Sequence, residues 1–555
     1  MSSQVMTSTI GTYLIQRLYE LGVRHVFGVP GDFSLKFCQL LEGEHKIAFT
    51  GTTREDTAGF AADGYARRHN GLGVVLVTHG VGALSTVNPI AGANAESSPV
   101  LVISGAPGVQ ERRDHSMIHH SFGEKDAQRK IFENFTCAAA SIQNVQNAAR
   151  CIDEVIEQVW IQKKPGYLEL PRDMIDCEID PQSNHEPLCQ YPSSDPATLK
   201  EALAESVALL KNARSPVILA GVQLHRYNVQ NDLVRLAESA RLPVAATIMG
   251  KTVFHERNPL YQGVYQGMVG SENARAVIED SDLVLALGVM FTDINLGMYT
   301  AKLDINRMIQ VNQGEVTIKH HKFPGITLKD YVLGLAAELR SMENRWSLRA
   351  ESPDHNNGHG TDEANALTTT GIIRLLNEKL TPDLAVICDT GDCLFAAAEL
   401  QVPDKTAFFA SAYYTTMGFA VPAALGVNCA SPEVRPLILV GDGAFQMTGT
   451  ELSTYKKLGL TPIVIVINNG GYETERVILD GEFNDIANWD YGAVCRMIQY
   501  GKSFQAGTYA EFQTALDTAL ADPKAMYVID AVVTESSRGM RRLAEEIGRR
   551  IRKTS

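Results

Sequence analysis

Leu437-Ile438-Leu439-Val440-Gly441-Asp442-Gly443 closes one apolar run of the chain, and Pro462-Ile463-Val464-Ile465-Val466-Ile467-Asn468-Asn469 closes another. The residues between them have helical character, so the stretch reads as strand, tight turn, helix and strand. That spacing places Asp442 and Asn469 at the carboxyl ends of two parallel strands, where ligands of open α/β sheets collect. A carboxylate and an amide carbonyl are oxygen donors suited to Mg²⁺ carrying a phosphorylated cofactor. The glycines let the backbone approach phosphate closely, and a helix start behind them supplies N–H groups and a favourable dipole.

The rest of the chain bounds what such a site can serve. At 555 residues it is too long for one core, and its length implies about three or four domains. A 45% hydrophobic and 21% charged composition is ordinary for a globular protein. The formal charge of -14 argues against general binding of nucleic acid or anionic membrane, while a local site can still take a small anionic substrate. The longest apolar runs, such as 462–467, are strand-sized and short of a membrane span. The first 20 residues read as a polar leader and an amphipathic helix with Arg17 and Glu20, without a signal-peptide core. Nine cysteines without a C-x-x-C pair give neither a disulfide framework nor a zinc site, so a reducing cytoplasm is expected.

Polar, proline-bearing stretches at 180–196 and 351–363 divide the chain into sections 1–182, 195–350 and 361–555. Each alternates strand-like runs with helical patterns, which predicts an α/β fold of three domains, with parallel sheets flanked by helices. Strand-like runs include 74–77, 100–104, 217–220, 283–287, 385–388 and 437–440. The outer sections share a pattern. A constant offset aligns residues 74–77 with 437–440, Gly80 with Gly443 and Pro99 with Pro462. Any two βαβ units look somewhat alike; the alternative is a duplication in which two similar domains face one cofactor.

The Gly-Asp-Gly and Asn-Asn pairing, with 24 residues between Gly443 and Asn468, resembles the thiamine diphosphate binding motif. Phe27-Gly28-Val29-Pro30-Gly31-Asp32, Arg54-Glu55 before Gly59-Phe60-Ala61-Ala62-Asp63-Gly64-Tyr65-Ala66, His119-His120 and Gly471-Tyr472-Glu473-Thr474-Glu475 resemble the 2-oxo acid decarboxylases over nearly the full length. That group includes pyruvate, indolepyruvate, phenylpyruvate and branched-chain 2-oxo acid decarboxylases. The resemblance implies a pyrimidine-binding first domain, a central domain and a diphosphate-binding third domain, with the thiamine diphosphate-binding fold in the first and third. It implies Mg²⁺ held by Asp442, the Asn469 side chain and the Gly471 carbonyl. Thr78, Thr390, Asp392, Thr415, Gly441, Gly443, Ala444 and Tyr472 would line the cofactor. Met417 would bend it so that its exocyclic nitrogen meets the reactive carbon, making a proton transfer intramolecular. Methionine at this position resembles the acetohydroxyacid synthases more than the decarboxylases. Glu55 would hydrogen-bond the aminopyrimidine ring and stabilise its imino tautomer. Without its neighbours, Glu55 could simply complement a helix dipole.

Loss of CO₂ leaves a carbanion that must be protonated, and aldehyde release needs a proton taken back, so several titratable groups must converge. By the same resemblance these are Asp32, His119, His120 and Glu475. Adjacent histidines in a polar loop are by themselves more often solvated side chains. Burial and like charge are expected to raise the pKa of Glu475. Glu473 would share its face on a strand-like segment, but the Gly-Tyr-x-x-Glu pattern selects Glu475. In the family, the first and third domains of one site come from different subunits, implying a homodimer or dimer of dimers.

Pyruvate-specific relatives carry aromatics where this chain has Leu394 and Ile294. With Thr474 and Ile478 flanking Glu475, a more open pocket is expected, suited to phenylpyruvate, indolepyruvate or 2-oxoisovalerate; pyruvate is the alternative. Two further readings compete: a carboligase of the acetohydroxyacid synthase type, and a noncatalytic nucleotide-binding protein that keeps the fold. The central section lacks Gly-x-Gly-x-x-Gly after a strand, which argues against a dinucleotide role. The basic C-terminus, with Arg541, Arg542, Arg549, Arg550, Arg552 and Lys553, is read as a helix end complementing its dipole or a tail closing over the site.

Overall fold

A computed structural model describes residues 8–114, 117–179, 188, 191–340, 346, 366–405 and 407–554. Most of the two polar breaks therefore lies outside the described residues. The chain divides into two compact units. One consists of Met1–Tyr191 with Val421–Glu433 and Thr448–Leu460, the other of Pro192–Ala420, Val434–Met447 and Thr461–Ser555.

The main sheet of the first unit has six strands: β1 (His25–Gly28), β2 (Ala48–Gly51), β3 (Gly73–Val77), β4 (Val100–Ala106), β5 (Ala138–Ser141) and β6 (Gly166–Pro171). They lie in the order β2-β1-β3-β4-β6-β5, all parallel. Residues 74–77 and 100–103 are buried without alternation, because helices cover both faces of a parallel sheet. The helix Glu55–His69 starts with Glu55 and Asp56 and ends with Arg67, Arg68 and His69, each sign matching its end of the dipole. Its small residues bring it backbone to backbone with the helix Ala420–Ala430. A Cβ on Gly64 would lie 2.1 Å from the Ala423 carbonyl oxygen, and one on Gly426 would lie 1.8 Å from that of Ala61.

The second unit holds two sheets. The central one comprises β7 (Pro216–Ala220), β8 (Val244–Ala246), β9 (Tyr261–Val264), β10 (Leu283–Leu287), β11 (Met308–Asn312), β12 (Gly314–Ile318) and β13 (His321–Ile326), in the order β9-β8-β7-β10-β11-β12-β13. Its last two strands are antiparallel, because single-residue and two-residue connections are too short for a parallel crossover. The other sheet comprises β14 (Leu384–Cys388), β15 (Phe408–Ala410), β16 (Arg435–Gly441), β17 (Ile463–Asn468), β18 (Lys502–Ala506) and β19 (Tyr527–Val532). Its order, β15-β14-β16-β17-β19-β18, reproduces that of the first sheet strand for strand. The fixed sequence offset does not hold throughout: Val74 pairs with Leu101, whereas Leu437 pairs with Ile463, so the alignment slips by one residue at the fourth strand.

A buried ion pair ties segments of the second unit together. Lys251 Nζ lies 2.8 Å from both Glu256 carboxylate oxygens and donates to the Leu400 carbonyl at 2.6 Å, while Val402 N–H donates to Glu256 at 2.8 Å. Every charge is met, which is the condition under which such a pair can be buried. The C-terminal helix Arg538–Thr554 places Arg541 and Arg542 in its first turn, where the dipole disfavours cations. Arg541 pairs with Glu535, and Arg542 with Glu272 and the Gly270 carbonyl, so these two do not complement a carboxyl helix end, whereas Arg549, Arg550, Arg552 and Lys553 lie toward that end of the helix, as expected. The side chains of Arg550, Arg552 and Lys553 lie outside the described residues. No described helix is long and apolar enough to cross a membrane.

Candidate active site

β16 and β17 are adjacent and parallel, with Gly441 opposite Ile467, so both end at the same edge of the sheet. The expected tight turn is the first turn of a helix, because Asp442–Thr448 begins on the residue after the strand. Asp442 is 2% exposed. One of its oxygens accepts the N–H groups of Asn469, Gly470 and Gly471 at 3.1, 2.7 and 3.2 Å, and the other accepts that of Gly443 at 2.7 Å. Desolvation raises its pKa, and the amides oppose that rise. The Asn469 side-chain oxygen faces the same loop, 3.4 Å from the Gly471 N–H. A Cβ on Gly441 would meet nothing within 4 Å, and one on Gly443 would sit 2.6 Å from the Tyr472 ring. Ala444 is buried in the same short helix.

A second carboxylate, which the motif reading missed, orders the neighbouring loop. Asp389 follows β14 and is fully buried. It accepts N–H groups from Thr390 at 3.0 Å, Gly418 at 3.1 Å and Ala420 at 2.8 Å. Desolvation pushes its pKa up to about 6, against these hydrogen bonds. The bonds fix the loop carrying Thr415, which has a left-handed φ of 54°, and Met417, which is 37% exposed. The carboxylate of Asp392 is taken up by the Thr369 hydroxyl at 2.8 Å and the Ser537 N–H at 3.0 Å. Leu394 is buried in the apolar core of this sheet, and Ile294 packs on the same cluster. Thr474 Oγ1 is buried without a hydrogen-bond partner among the described residues.

Residues 473–478 form a short helix, not the strand-like segment expected. Two residues apart on a helix lie on nearly opposite sides. Glu473 accordingly turns inward, accepting the Ser536 hydroxyl at 2.5 Å and lying 3.7 Å from Arg476. Glu475 and Ile478 are exposed, so this chain alone does not provide the burial expected around Glu475.

In the first unit, Asp32 lies in the turn after β1. His119 Nε2 is 2.6 Å from one carboxylate oxygen, and Thr78 donates to the other at 3.3 Å. His120 Nε2 lies 3.8 Å from that second oxygen. Desolvation would raise the Asp32 pKa, but the His119 and Thr78 contacts outweigh it and hold the group below its ordinary value. Phe33 stacks on His119 at 4.9 Å, fixing the ring plane. Glu55 opens its helix beside Gly82, where an added Cβ would come within 3.4 Å of the Glu55 carboxylate. The preceding turn is clamped by Glu451, a second residue missed in the sequence. Its fully buried carboxylate accepts the Thr53 N–H at 3.1 Å and the Thr53 and Thr454 hydroxyls at 2.5 Å each.

Three family models match the chain. The thiamine pyrophosphate enzyme N-terminal TPP binding domain matches residues 8–130, the central domain 203–332 and the C-terminal TPP binding domain 389–531. The chain is 33% identical to an indole-3-pyruvate decarboxylase of Azospirillum brasilense over 530 residues, 94% of each chain. It is 32% identical to an alpha-keto-acid decarboxylase of Mycobacterium tuberculosis H37Rv, over 95% of this chain and 94% of the relative. It is also 32% identical to a "Probable pyruvate decarboxylase" of Schizosaccharomyces pombe, over the same shares. The chain belongs to the thiamine diphosphate-dependent 2-oxo acid decarboxylases.

The residues present suit the cofactor that this family binds. Asp442 is a buried carboxylate that accepts hydrogen bonds from four backbone amides, and open space adjoins Gly441. Such a donor set fits a small divalent cation next to a diphosphate.

Proposed function

We propose that this decarboxylase converts an aromatic or branched-chain 2-oxo acid to an aldehyde and CO₂, with Mg²⁺ beside thiamine diphosphate. The observation that carries the substrate reading is the aliphatic wall of the third sheet, where Leu394 lies in the core and Ile294 packs against it. Thr474 offers a small polar edge next to Gly391, 3.5 Å from where a Cβ would stand.

Bound thiamine diphosphate supplies the nucleophilic carbon and the electron sink for the pair left when CO₂ departs. Asp442, Asn469 and the Gly471 carbonyl would hold the metal. Thr390, Asp392, Gly441, Gly443, Ala444 and Tyr472 border the diphosphate, and Thr78, Thr415 and Met417 border the rings. Glu55 holds a proton at the pyrimidine ring, its place fixed through Thr53 and Glu451. Asp32, His119 and His120 give and withdraw protons at the substrate, the low pKa of Asp32 keeping it ionised as partner to His119. Glu475 adds the remaining proton-handling group once a partner subunit covers it.

Self-association as a homodimer or a dimer of dimers, with sites between subunits, is part of this reading. Apolar side chains stand exposed beside both half-sites: Val81 and Met117 in the first unit, and Tyr413, Met417, Ile478 and Phe483 in the second. The described cysteines are all free thiols, which supports a cytoplasmic enzyme.

The test is a panel of 2-oxo acids with CO₂ and aldehyde measured together. Phenylpyruvate, indolepyruvate or 2-oxoisovalerate should exceed pyruvate in kcat/KM. A large preference for pyruvate overturns the substrate reading, and acetolactate as the main product would favour the carboligase that Met417 resembles.

A further inference from the structure

His79 follows β3 at the position Asp442 holds after β16, with Gly80 and Gly443 next in each case. It is 6% exposed and meets Phe33 edge-on at 5.9 Å. His79 Nδ1 is buried with no hydrogen-bond partner among the described residues, and so is Arg112 Nη2. Both side chains line one cavity of about 30 Å³, together with Ser121 and Gln128. A void needs roughly 10–15 Å³ to hold a water and two or more polar partners to keep it. This one meets both conditions.

The same cavity is bordered by Ile118 and by 121–125, so it lies under the loop carrying His119 and His120. Its floor is a chain of buried hydrogen bonds. Gln128 accepts the Gly80 N–H at 2.6 Å and donates to Ser104 and Tyr167; Tyr167 donates to Glu169 at 3.0 Å, and Arg112 Nη1 donates to Glu169 at 3.1 Å. The loop is tightly seated. His120 has a left-handed φ of 66°, and a Cβ on Gly80 would lie 1.9 Å from the His120 carbonyl oxygen.

We infer that the cavity holds one ordered water bonded to His79 Nδ1 and Arg112 Nη2, and that His79 is thereby a positioning residue for the His119–His120 loop. Burial pushes the His79 pKa down to about 4, so its ring is neutral at working pH and Nδ1 can accept or donate according to tautomer. The role rests on the proton-handling assignment of His119 and His120 above.

The experiment combines a crystal structure of the holoenzyme with kinetics of His79→Leu and His79→Asn, the Asn side chain placing a polar atom near the Nδ1 position. The expected structure has a water within hydrogen-bond distance of both orphaned atoms. His79→Leu should lower kcat about tenfold through misplacement of the histidines while KM and cofactor affinity stay within about twofold, and His79→Asn should recover most of the loss. A dry cavity, a halide there in a bromide-soaked crystal, or equal kinetics for the two variants overturns the inference. Wild-type protein inactive on every 2-oxo acid would instead sink the functional reading on which it rests.

Discussion

After the third strand of the first sheet the chain reads Thr78-His79-Gly80, and after the third strand of the last sheet it reads Gly441-Asp442-Gly443. The two sheets have the same strand order, and both turns lie at the strands' carboxyl ends. One turn buries a carboxylate ringed by amide N–H groups, the proposed metal ligand. The other buries a neutral imidazole, and its charged groups, Asp32 with His119 and His120, come from other loops. On the proposed reading, one architecture serves metal and diphosphate binding at one copy and proton transfer at the other, because the loops and not the sheet decide the chemistry.

Changes at each copy should separate these roles. Glu55→Gln, on the first copy, should lower kcat by about 10²–10⁴-fold with cofactor still bound, measured by steady-state CO₂ release at saturating thiamine diphosphate. Asp442→Ala, on the other, should weaken Mg²⁺-dependent cofactor binding by more than about 100-fold, read by titration of the apoenzyme. If both variants lost binding equally, the division of labour would fail.

Asp389 sharpens the comparison further, since it is a buried carboxylate outside the proposed metal site. Its folded pKa of about 6 exceeds its unfolded value, so its contribution is full when it is protonated and is lost as pH rises through about 6. Relative to Asp389→Asn, the wild-type apoenzyme should therefore lose up to about 3 kcal/mol of stability between pH 4 and pH 7, compared through urea unfolding. A gap that widens in favour of wild type over that range would contradict the assignment. The smallest effect is expected at the pocket wall. Ile294→Phe should shift the phenylpyruvate-to-pyruvate ratio of kcat/KM toward pyruvate by about 1–3 kcal/mol.

Much of this was legible in the sequence. Runs such as 74–77, 283–287 and 437–440 are strands because uninterrupted apolar β-branched residues suit a sheet covered on both faces. The Asp442 to Asn469 spacing was legible because strand, helix and strand have fixed rises. Asp389, Glu451 and His79 were not, because each acts through partners distant in sequence, such as Thr53 for Glu451, and no local pattern marks a buried acceptor. The antiparallel edge of the central sheet was missed because its short connections look like ordinary loop. The face that Glu475 presents depended on whether six residues form helix or strand, a length at which periodicity cannot decide.

On the proposed reading, the two sheet copies of different subunits complete one site. Co-expressing Glu55→Gln and Asp442→Ala subunits with different tags, and isolating the hetero-oligomer, tests it directly. Each such dimer would then carry one intact and one doubly altered site, so the account predicts about half of wild-type decarboxylation, although either variant alone is nearly inactive. An inactive hetero-oligomer would mean that Glu55 and Asp442 of one site come from the same chain, and would contradict the account.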